Sequence, residues 1–453
     1  MRHHRLSNPF ILVCLFLGGC GGGGGSGETT SPPPQGPAIT SFSADQPAYF
    51  VGGNARLTAV FQGGSGRLDP GNITLTSGQP FTTPTLTDDV TYKLTVSSAT
   101  ASVSRELTVD VSYRERMRTV AMPFTRQEHA AVSLPDGRVL IVGGDSFGSM
   151  LPPDVYQFDP ATEAFTKLGD LGTGRVAMVA TALANGDVLV ALGGRALTQA
   201  PPAEILNGRT GASTPTSGTP TRSRYYATGT LLADGRVLIA GGMGDNGADS
   251  TAEIFDPSTG RFVLLPATMS KGRYSHTATR LDDGRVLIYG GHTNDGQPAA
   301  PELFDPATAT FTVLAAPESN VRALHSAVKT LDGRVWLLGG EDQTSAPLAT
   351  VLRFDPETYF AIGPNLATPR TMLGAAALSD GRLLLSGGAR AYTLSDVEAS
   401  SELVRNLQVR ADGPAMSTRR IMHTVTHLAN GKVLIVGGYN HENGALATAE
   451  IFE

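Results

Sequence analysis

The sequence has few of the residues that stabilise small exported domains or bind nucleic acid. Its only cysteines are Cys14 and Cys20, so no disulfide can lie within the remainder of the chain. Charged residues make up 17% of the 453 residues and aromatic residues 6%, with one tryptophan. The net charge is −6 and the only basic cluster is N-terminal, which argues against a nucleic-acid partner. The 54 glycines and 29 prolines disfavour long helices, while 40% hydrophobic residues suffice for a core.

The N-terminal segment predicts export and lipid attachment. A basic stretch at residues 1–5 precedes an apolar run at residues 10–17, which is too short for a permanent transmembrane helix and is typical of a signal peptide. The run ends in Leu-Gly-Gly-Cys, which resembles the bacterial lipobox. The resemblance implies cleavage after residue 19, acylation of Cys20 with palmitate, and a lipoprotein held at the outer membrane or cell surface by that anchor alone. The alternative is an ordinary secreted protein cleaved nearby.

Residues 20–37 are predicted to be a flexible Gly- and Pro-rich tether, and residues 38–112 a small β-sandwich. Five short segments in 38–112 alternate apolar and polar residues between Gly, Pro, Asn and Asp clusters, as half-buried strands do. Residues 88–96 resemble the late strand of bacterial Ig-like domains, with Tyr92 where such domains place a corner tyrosine. The resemblance implies an Ig-like spacer, with a binding role as the alternative.

Residues 113–453 form a repeat of seven units. In each unit an arginine is followed eleven residues later by the glycine of an Asp-Gly or Asn-Gly hairpin turn, and an apolar run then ends in a Gly-Gly pair. The units recur about every 49 residues, a period that, for units made of short strands, indicates propeller blades with four strands each, a to d. The glycine pairs begin at Gly143, Gly193, Gly241, Gly290, Gly339, Gly387 and Gly437.

Two features of the repeat predict local structure. The apolar run of strand b does not alternate, so both of its faces are expected to be covered. The second unit reads GDVLVALGG over residues 186–194, one residue longer than the others, which predicts a β-bulge. The last unit ends after its strand c, so residues 114–120 are predicted to add the missing strand d and to close the ring.

The order of motifs within each unit resembles the Kelch repeat family. Four hydrophobic residues precede the double glycine, and most units then have a strand ending in Phe-Asp-Pro and a second spaced aromatic residue. The resemblance implies an all-β fold, a seven-bladed Kelch-type β-propeller of the galactose oxidase-like kind, preceded by the small Ig-like β-sandwich. Phenylalanine replaces the family's usual tryptophan in strand d, and units two and six lack Phe-Asp-Pro.

One face of such a propeller carries the b–c loops and the d–a connections, and there the sequence does not repeat. The residue after each Gly-Gly pair differs in all seven units, so the fold does not require a particular side chain there. Ligand binding is therefore expected on this face. The candidate ligand-binding residues are Asp145, Arg195, Asp245, Asn246, His292, Asn294, Asp295, Glu341, Asp342, Arg390, Tyr392, Tyr439, Asn440 and His441.

Three repeated polar patterns have two interpretations each. The arginines at the start of strand a could form an anion-binding funnel, but glutamates open strand c at the same end, and framework ion pairs are the simpler account. Polar loops such as residues 244–249 share only their composition with calcium sites. Equivalent positions on opposite blades are too far apart to share a metal, so the histidines three residues after the arginines are expected to be core or channel residues. These are His129, His276, His325 and His423.

The sequence contains no local catalytic motif: no Gly-x-Ser-x-Gly, no His-Glu-x-x-His and no phosphate loop. The copper radical oxidase chemistry of galactose oxidase needs a cysteine–tyrosine thioether, which a mature chain without cysteine cannot form. No metal or cofactor is expected. The leading hypothesis is a surface-tethered, non-catalytic adhesion module that binds a glycan or protein through the b–c/d–a face. The alternative is a carbohydrate-acting enzyme, a sugar isomerase or similar, on that face. A single pocket there that holds a carboxylate of strongly shifted pKa beside Arg or His would favour it.

Overall fold

The structure is a computed structural model that describes residues 36–146, 151–194, 201–296, 299–315, 321–391, 396–405 and 408–453. Every regular element in these ranges is a β-strand, which confirms the all-β prediction. Within the same ranges no helix is long and apolar enough to cross a membrane.

The first group of strands surrounds its own core. The strands are β1 Ala38–Ala44, β2 Tyr49–Phe50, β3 Arg56–Gln62, β4 Ser65–Asp69, β5 Ile73–Leu75, β6 Pro80–Thr82, β7 Val90–Ser97, β8 Ser102–Val109 and β9 Val111–Ser112. They form a sheet β1-β3-β6, a sheet β5-β4-β7-β8 and a parallel pair β2-β9. Alternate residues of both larger sheets, such as Leu57, Tyr92 and Leu94, are buried in one cluster. The alternating pattern of the sequence therefore places one face of each sheet inside.

The described residues of the repeat region form seven sheets of four or five strands, numbered here by the chain order of their a strands, and one separate two-stranded hairpin. Sheet 1 consists of β11 Ala130–Ser133, β12 Val139–Val142, β13 Asp154–Asp159 and β14 Ala164–Asp170, and sheet 2 of β15 Val179–Ala182, β16 Val188–Ala191, β17 Glu204–Leu206 and β18 Ser213–Pro215. Sheet 3 consists of β19 Thr228–Leu231, β20 Val237–Ala240, β23 Ala252–Asp256 and β24 Arg261–Leu264, and a separate hairpin of β21 Met243–Gly244 and β22 Gly247–Ala248 precedes β23; sheet 4 consists of β25 Thr277–Arg280, β26 Val286–Tyr289, β27 Glu302–Asp305 and β28 Thr310–Val313. Sheet 5 consists of β29 Ser326–Lys329, β30 Val335–Leu338, β31 Val351–Asp355 and β32 Tyr359–Ile362, sheet 6 of β33 Gly374–Ala377, β34 Leu383–Ser386, β35 Ser401–Arg405 and β36 Gln408–Gly413, and sheet 7 of β37 Thr424–His427, β38 Val433–Val436, β39 Tyr439–Asn440, β40 Gly444–Phe452 and β10 Met117–Arg126.

The seven sheets follow one another around a ring. The first strand of each sheet contacts the first strand of the next, and β37 contacts β11. A backbone hydrogen bond joins each neighbouring pair: Gly144 N–H, for example, donates to the Arg175 carbonyl at 2.9 Å. The same bond from Gly438 to Arg126, at 2.8 Å, joins the last sheet to the first.

A strand from the beginning of the repeat region completes sheet 7. This strand is predicted at residues 114–120 and is observed as β10, Met117–Arg126. It pairs antiparallel with β40, starting with Met117 opposite Phe452, and an ion pair joins Arg116 to Glu453. The outer edge of β40 is thereby paired within this sheet.

Apolar side chains of neighbouring sheets share each core cluster. Strand b of most sheets is buried along its whole length, as its uninterrupted apolar run predicts. Leu238 of sheet 3 and Ile288 and Phe304 of sheet 4, for instance, belong to one cluster. Another cluster joins the first group of strands to the ring: it contains Val51 and Phe452, while the Tyr113 hydroxyl donates to the Gly431 carbonyl at 2.6 Å.

The expected bulge in the second unit is absent, and that prediction was wrong. Strand β16 pairs with β15 without a register shift, so Leu192 occupies the place that Gly143 has in sheet 1. Leu192 adopts a φ of 62°, and Gly193 N–H makes the bond to the next sheet, with the Arg224 carbonyl, at 3.0 Å. The unit is not longer; a leucine takes the left-handed position of the first glycine.

The first glycine of most Gly-Gly pairs lies close to the backbone of the next sheet, which gives a stability prediction for sheet 4. A Cβ atom at Gly290 (φ 65°) would lie 2.0 Å from the Arg322 carbonyl oxygen of the next sheet, whereas one at Gly284 (φ 89°) in the hairpin turn would meet nothing within 4 Å. G284A is expected to cost about 1–3 kcal/mol of unfolding free energy from backbone strain alone. G290A is expected to cost about 1–3 kcal/mol more, because of the clash. Urea unfolding of both variants checks this; equal losses would show that the glycine is needed only for its φ.

Candidate functional site

The arginines before strand a are structural. All are almost completely buried, and each binds strands of its own sheet. Arg224 donates to Glu253 at 2.5 Å, and Glu253 also accepts from the Thr221 N–H of the d–a connection at 2.9 Å. Equivalent pairs are Arg126–Asp154, Arg175–Glu204, Arg273–Glu302, Arg370–Glu402 and Arg420–Glu450. The structure therefore shows framework ion pairs at these positions, the simpler of the two interpretations.

Two residues after each arginine the backbone turns left-handed and forms a collar around the axis of the ring. The collar residues have φ values between 48° and 54°. Five of them donate their N–H to the carbonyl of the preceding collar residue, at 3.0–3.3 Å. The collar consists of Glu128, Ala177, Tyr226, Ser275, Leu324, Met372 and Met422. Six residue types share this conformation and five of the N–H groups bond to the neighbouring sheet, so the left-handed conformation follows from the ring and not from the residue type.

The collar surrounds a cavity of about 710 Å³, called the axial cavity below. All seven sheets contribute to its lining, and the side chains of Tyr274, His292, Glu341 and Ser345 lie in it together with the collar. A smaller pocket of about 100 Å³ lies beside it and shares Tyr274, His292 and Glu341 with it.

An imidazole and a carboxyl group meet where these two spaces adjoin. Glu341 Oε1 lies 3.4 Å from His292 Nε2, and Glu341 Oε2 accepts a hydrogen bond from the Thr371 hydroxyl at 3.3 Å. The Glu341 side chain has no solvent-exposed surface, and Oε1 has no hydrogen-bond partner among the described residues. Burial raises the pKa of Glu341, and burial lowers the pKa of His292. Both shifts favour a neutral pair: a protonated carboxyl beside an uncharged imidazole.

The fold positions both side chains in the same way. Each directly follows a Gly-Gly pair, and its backbone bridges to the residue after its sheet's arginine: His292 to Tyr274, and Glu341 to Ala323. The rings of Tyr274 and His292 are 5.2 Å apart. The bridge returns the chain to the axis immediately after strand b, so the residue after Gly-Gly can reach the cavity.

A second carboxyl group lies in the collar. Glu128 accepts a hydrogen bond from the hydroxyl of Tyr226, two sheets away, at 3.1 Å. Burial raises the pKa of Glu128 as well. The cavity therefore holds two carboxyl groups with raised pKa values, Glu128 in sheet 1 and Glu341 in sheet 5.

Of the predicted ligand-binding residues, His292 and Glu341 lie in the axial cavity, and Asp342 lines the smaller pocket. Three of the predicted positions lie outside the described residues: Cys20, Arg195 and Tyr392. The others do not line the axial cavity. Tyr439 and Asn440 form the short strand β39, and the rest lie in loops: Asp145, Asp245, Asn246, Asn294, Asp295, Arg390 and His441.

Several of these loop side chains bind neighbouring loop groups. Asn294 Oδ1 accepts from Ala248 N–H at 2.7 Å. Asn440 Oδ1 accepts from Asn443 N–H at 2.8 Å, and Arg390 forms an ion pair with Glu398. Short polar side chains stabilise turns in this way, so polar composition alone does not distinguish a ligand site from a turn.

Sequence reasoning missed the collar and Tyr274. A sequence signal was present, because the residue two positions after the arginine also varies among the units: six residue types occur in seven units, and only methionine occurs twice. The rule that selected the residue after Gly-Gly would have selected Glu128 and Tyr226, had it been applied there.

The four repeated histidines join neighbouring sheets. His276 Nε2 lies 3.0 Å from the Thr228 hydroxyl of the preceding sheet, and His325 Nε2 lies 2.9 Å from the Thr277 hydroxyl. Burial lowers the pKa of His276 to about 3, so these rings are uncharged. The described part of the chain contains no group of three or more His, Cys, Asp or Glu residues that could hold a metal ion.

No family model matches the chain, and no curated protein matches it. Among solved structures, a fungal alcohol oxidase of the AA5 family in complex with copper is similar over 74% of this chain and 75% of its own, with 15% identity and a TM-score of 0.61. The fold is a Kelch-type β-propeller. YjhT is similar over 74% of this chain and 95% of its own, with 15% identity and a TM-score of 0.49. At 15% identity these likenesses concern the fold alone.

Copper, which the fungal oxidase binds, does not fit the residues of this propeller. His292 and Glu341 offer one imidazole and one carboxyl group, and none of the clusters within the described ranges adds a third ligand to such a pair. The axial cavity provides acid–base groups instead.

Proposed function

We propose that this protein is an enzyme that isomerises a sugar by proton transfer in the axial cavity of its propeller. The observation that carries the proposal is the Glu341–His292 pair, a fully buried carboxyl of raised pKa 3.4 Å from an imidazole of lowered pKa. A buried carboxyl of raised pKa beside a histidine in one pocket is an arrangement typical of enzyme active sites. It favours the enzyme.

The pair supplies the general acid and the general base that opening of a sugar hemiacetal requires. The anomeric hydroxyl loses its proton to His292 while the ring oxygen gains one from Glu341. The bond between the ring oxygen and the anomeric carbon breaks, and the carbonyl forms. The reverse steps close the ring on either face of the carbonyl. Protons are only exchanged, so no co-reactant is required.

The two pKa shifts help this exchange. Burial raises the pKa of Glu341 and lowers that of His292. Both shifts favour the protonation states that the exchange needs, a protonated carboxyl as the acid and an uncharged imidazole as the base. The cavity of about 710 Å³ lies within the usual range of small-molecule sites, and Tyr274 and Tyr226 are among the residues that line it.

We also propose the finer architecture that the sequence predicts. The seven sheets are the seven blades of the propeller at 113–453, and residues 38–112 are an Ig-like sandwich that separates it from the tether at 20–37. Acylation of Cys20 after removal of residues 1–19 holds the protein at the outer membrane or cell surface. The repeated sheet hydrogen bonds and the Leu57–Leu94 core support the two folded units.

A conversion screen tests the function. Reducing hexoses, hexosamines and uronic acids, each freshly dissolved as one anomer or isomer, are followed by ¹H NMR with and without the protein. The expected result is faster interconversion of at least one sugar, lost in E341Q. Saturable binding of sugars with every interconversion at the buffer rate would overturn the proposal and favour the non-catalytic binding module.

A further inference from the structure

The collar of the axial cavity has a polar side and an apolar side. Sheets 5, 6 and 7 contribute Leu324, Met372 and Met422 in succession, all half-buried and all lining the cavity. Of the other collar residues, Glu128, Tyr226 and Ser275 are polar and Ala177 is small. Three adjacent apolar residues at positions that are otherwise free to vary make a continuous surface, called the apolar wall below.

The apolar wall extends outward from the collar. Ala389 and Ile421 are buried in a cluster against which Met372, Met422 and Tyr439 pack. Ala389 and Tyr439 follow the Gly-Gly pairs of sheets 6 and 7, the position that His292 and Glu341 occupy in sheets 4 and 5. The apolar surface of sheets 6 and 7 therefore continues behind the two collar methionines.

A bare sugar would not suit this division. Its hydroxyls project all around the ring, and those facing the apolar wall would lose water without gaining a hydrogen bond. The cavity of about 710 Å³ has room for more than one sugar ring. Methionine side chains adapt to varied apolar shapes, so two of them beside a leucine suit a flexible hydrocarbon group.

The substituent must leave the reaction possible. Opening of the hemiacetal needs a free anomeric hydroxyl, so the apolar group cannot be a glycosidic aglycone. It must be attached elsewhere on the ring, as an acyl group on an amine or hydroxyl is.

We propose that the substrate is a reducing sugar that carries an apolar acyl chain, with its ring against Glu341 and His292 and the chain against Leu324, Met372 and Met422. The inference rests on the proposed function, whose substrate class it narrows. Met372 and Met422 are specificity-determining residues, since they meet the part of the ligand that does not react.

A series of N-acyl hexosamines tests the wall. N-acetyl, N-butanoyl and N-hexanoyl derivatives of glucosamine, galactosamine and mannosamine are titrated calorimetrically into the protein, and their interconversion is followed by NMR. Affinity is expected to rise about fourfold for each methylene that the wall covers. In M372Q/M422Q the dependence on chain length is expected to vanish. V263Q, which changes an exposed residue on outer strand β24, is the matched control and should keep it.

The outcomes separate the inference from the proposed function. Two results would contradict acyl-chain binding by the apolar wall without contradicting the enzymatic function: conversion of short-chain sugars without dependence on chain length, or the same dependence in M372Q/M422Q as in V263Q. Tight binding that depends on chain length, without conversion of any sugar, would contradict the enzymatic function but would support acyl-chain binding by the apolar wall. Circular dichroism and thermal unfolding of each variant show that a lost dependence does not reflect a lost fold.

Discussion

Replacement of Glu341 by glutamine is expected to lower kcat for the sugar substrate by about 10²- to 10⁴-fold, the usual contribution of a general acid or base, and to change KM much less. Glutamine keeps the size of the side chain and can still accept the Thr371 hydrogen bond, but it carries no transferable proton. The fold is expected to tolerate the change, because the buried carboxyl favours its neutral form already.

The matched control for E341Q is D295N, which alters a carboxylate of a neighbouring loop that forms an ion pair with Lys271 outside the cavity. It should keep wild-type kcat. Steady-state kinetics by NMR on all three proteins checks this prediction. A kcat for E341Q within a few-fold of the wild type would remove Glu341 from the reaction.

The pH dependence of the wild-type rate should fall on both sides of an optimum. Raising the pH removes the proton that Glu341 donates, and lowering it adds a proton to His292, which then cannot accept one. Because the pKa of Glu341 is raised and that of His292 lowered, a larger fraction of the pair should be in the active, neutral form at the optimum than free side chains would give. A rate that does not change with pH would contradict the assigned roles.

Acidification from pH 6.5 towards 4 is expected to destabilise the propeller strongly. Burial lowers the pKa of His129, His276 and His423 to about 3, and that of His325 well below its ordinary value. In this window the unfolded chain binds protons at these histidines and the folded chain does not, so stability is present above about pH 6.5 and is lost as the pH falls. Each histidine contributes a slope of about 1.4 kcal/mol per pH unit.

Other groups modify this slope. The raised pKa values of Glu341 and Glu128 oppose it, because the folded chain holds those protons more tightly. The pKa of Glu453, lowered to about 2 by Lys432 and Arg116 despite its burial, adds to the loss below its ordinary value of 4.5. Four histidines outweigh two carboxyls, so the net direction is loss of stability in acid.

Urea unfolding at successive pH values measures this slope, and H276Q identifies its source. Glutamine can keep a hydrogen bond with Thr228, and it removes one of the four titrating rings. The slope between pH 6.5 and 4 should decrease by about 1.4 kcal/mol per pH unit in the variant. An unchanged slope would mean that His276 is protonated in the folded state.

The all-β fold and the framework of the repeat were predictable because each repeated residue makes the same structural contacts in successive sheets. The arginine joins three strands of its sheet, and the second glycine bonds to the next sheet, so both recur in register. Leu192 shows the limit of this reasoning. A leucine at a glycine position looked like an inserted residue, and only the ring contacts show that it takes the left-handed conformation in place.

The candidate site was predictable in part. His292 and Glu341 were found because they stand at a position that varies among otherwise regular units. Their proximity was not predictable, since it depends on which sheets are neighbours and on the bridge that turns each chain back to the axis. The collar was missed because its left-handed φ arises from hydrogen bonds between sheets, which no local sequence pattern encodes.

A crystal structure of E341Q with the sugar that the conversion screen selects tests the central claim most directly. The account predicts that the sugar lies in the axial cavity, with its ring oxygen and anomeric hydroxyl within hydrogen-bond distance of residue 341 and His292 Nε2. A sugar bound instead on the outer loops, at Asn294, Asp295 or His441 and away from the collar, would contradict it.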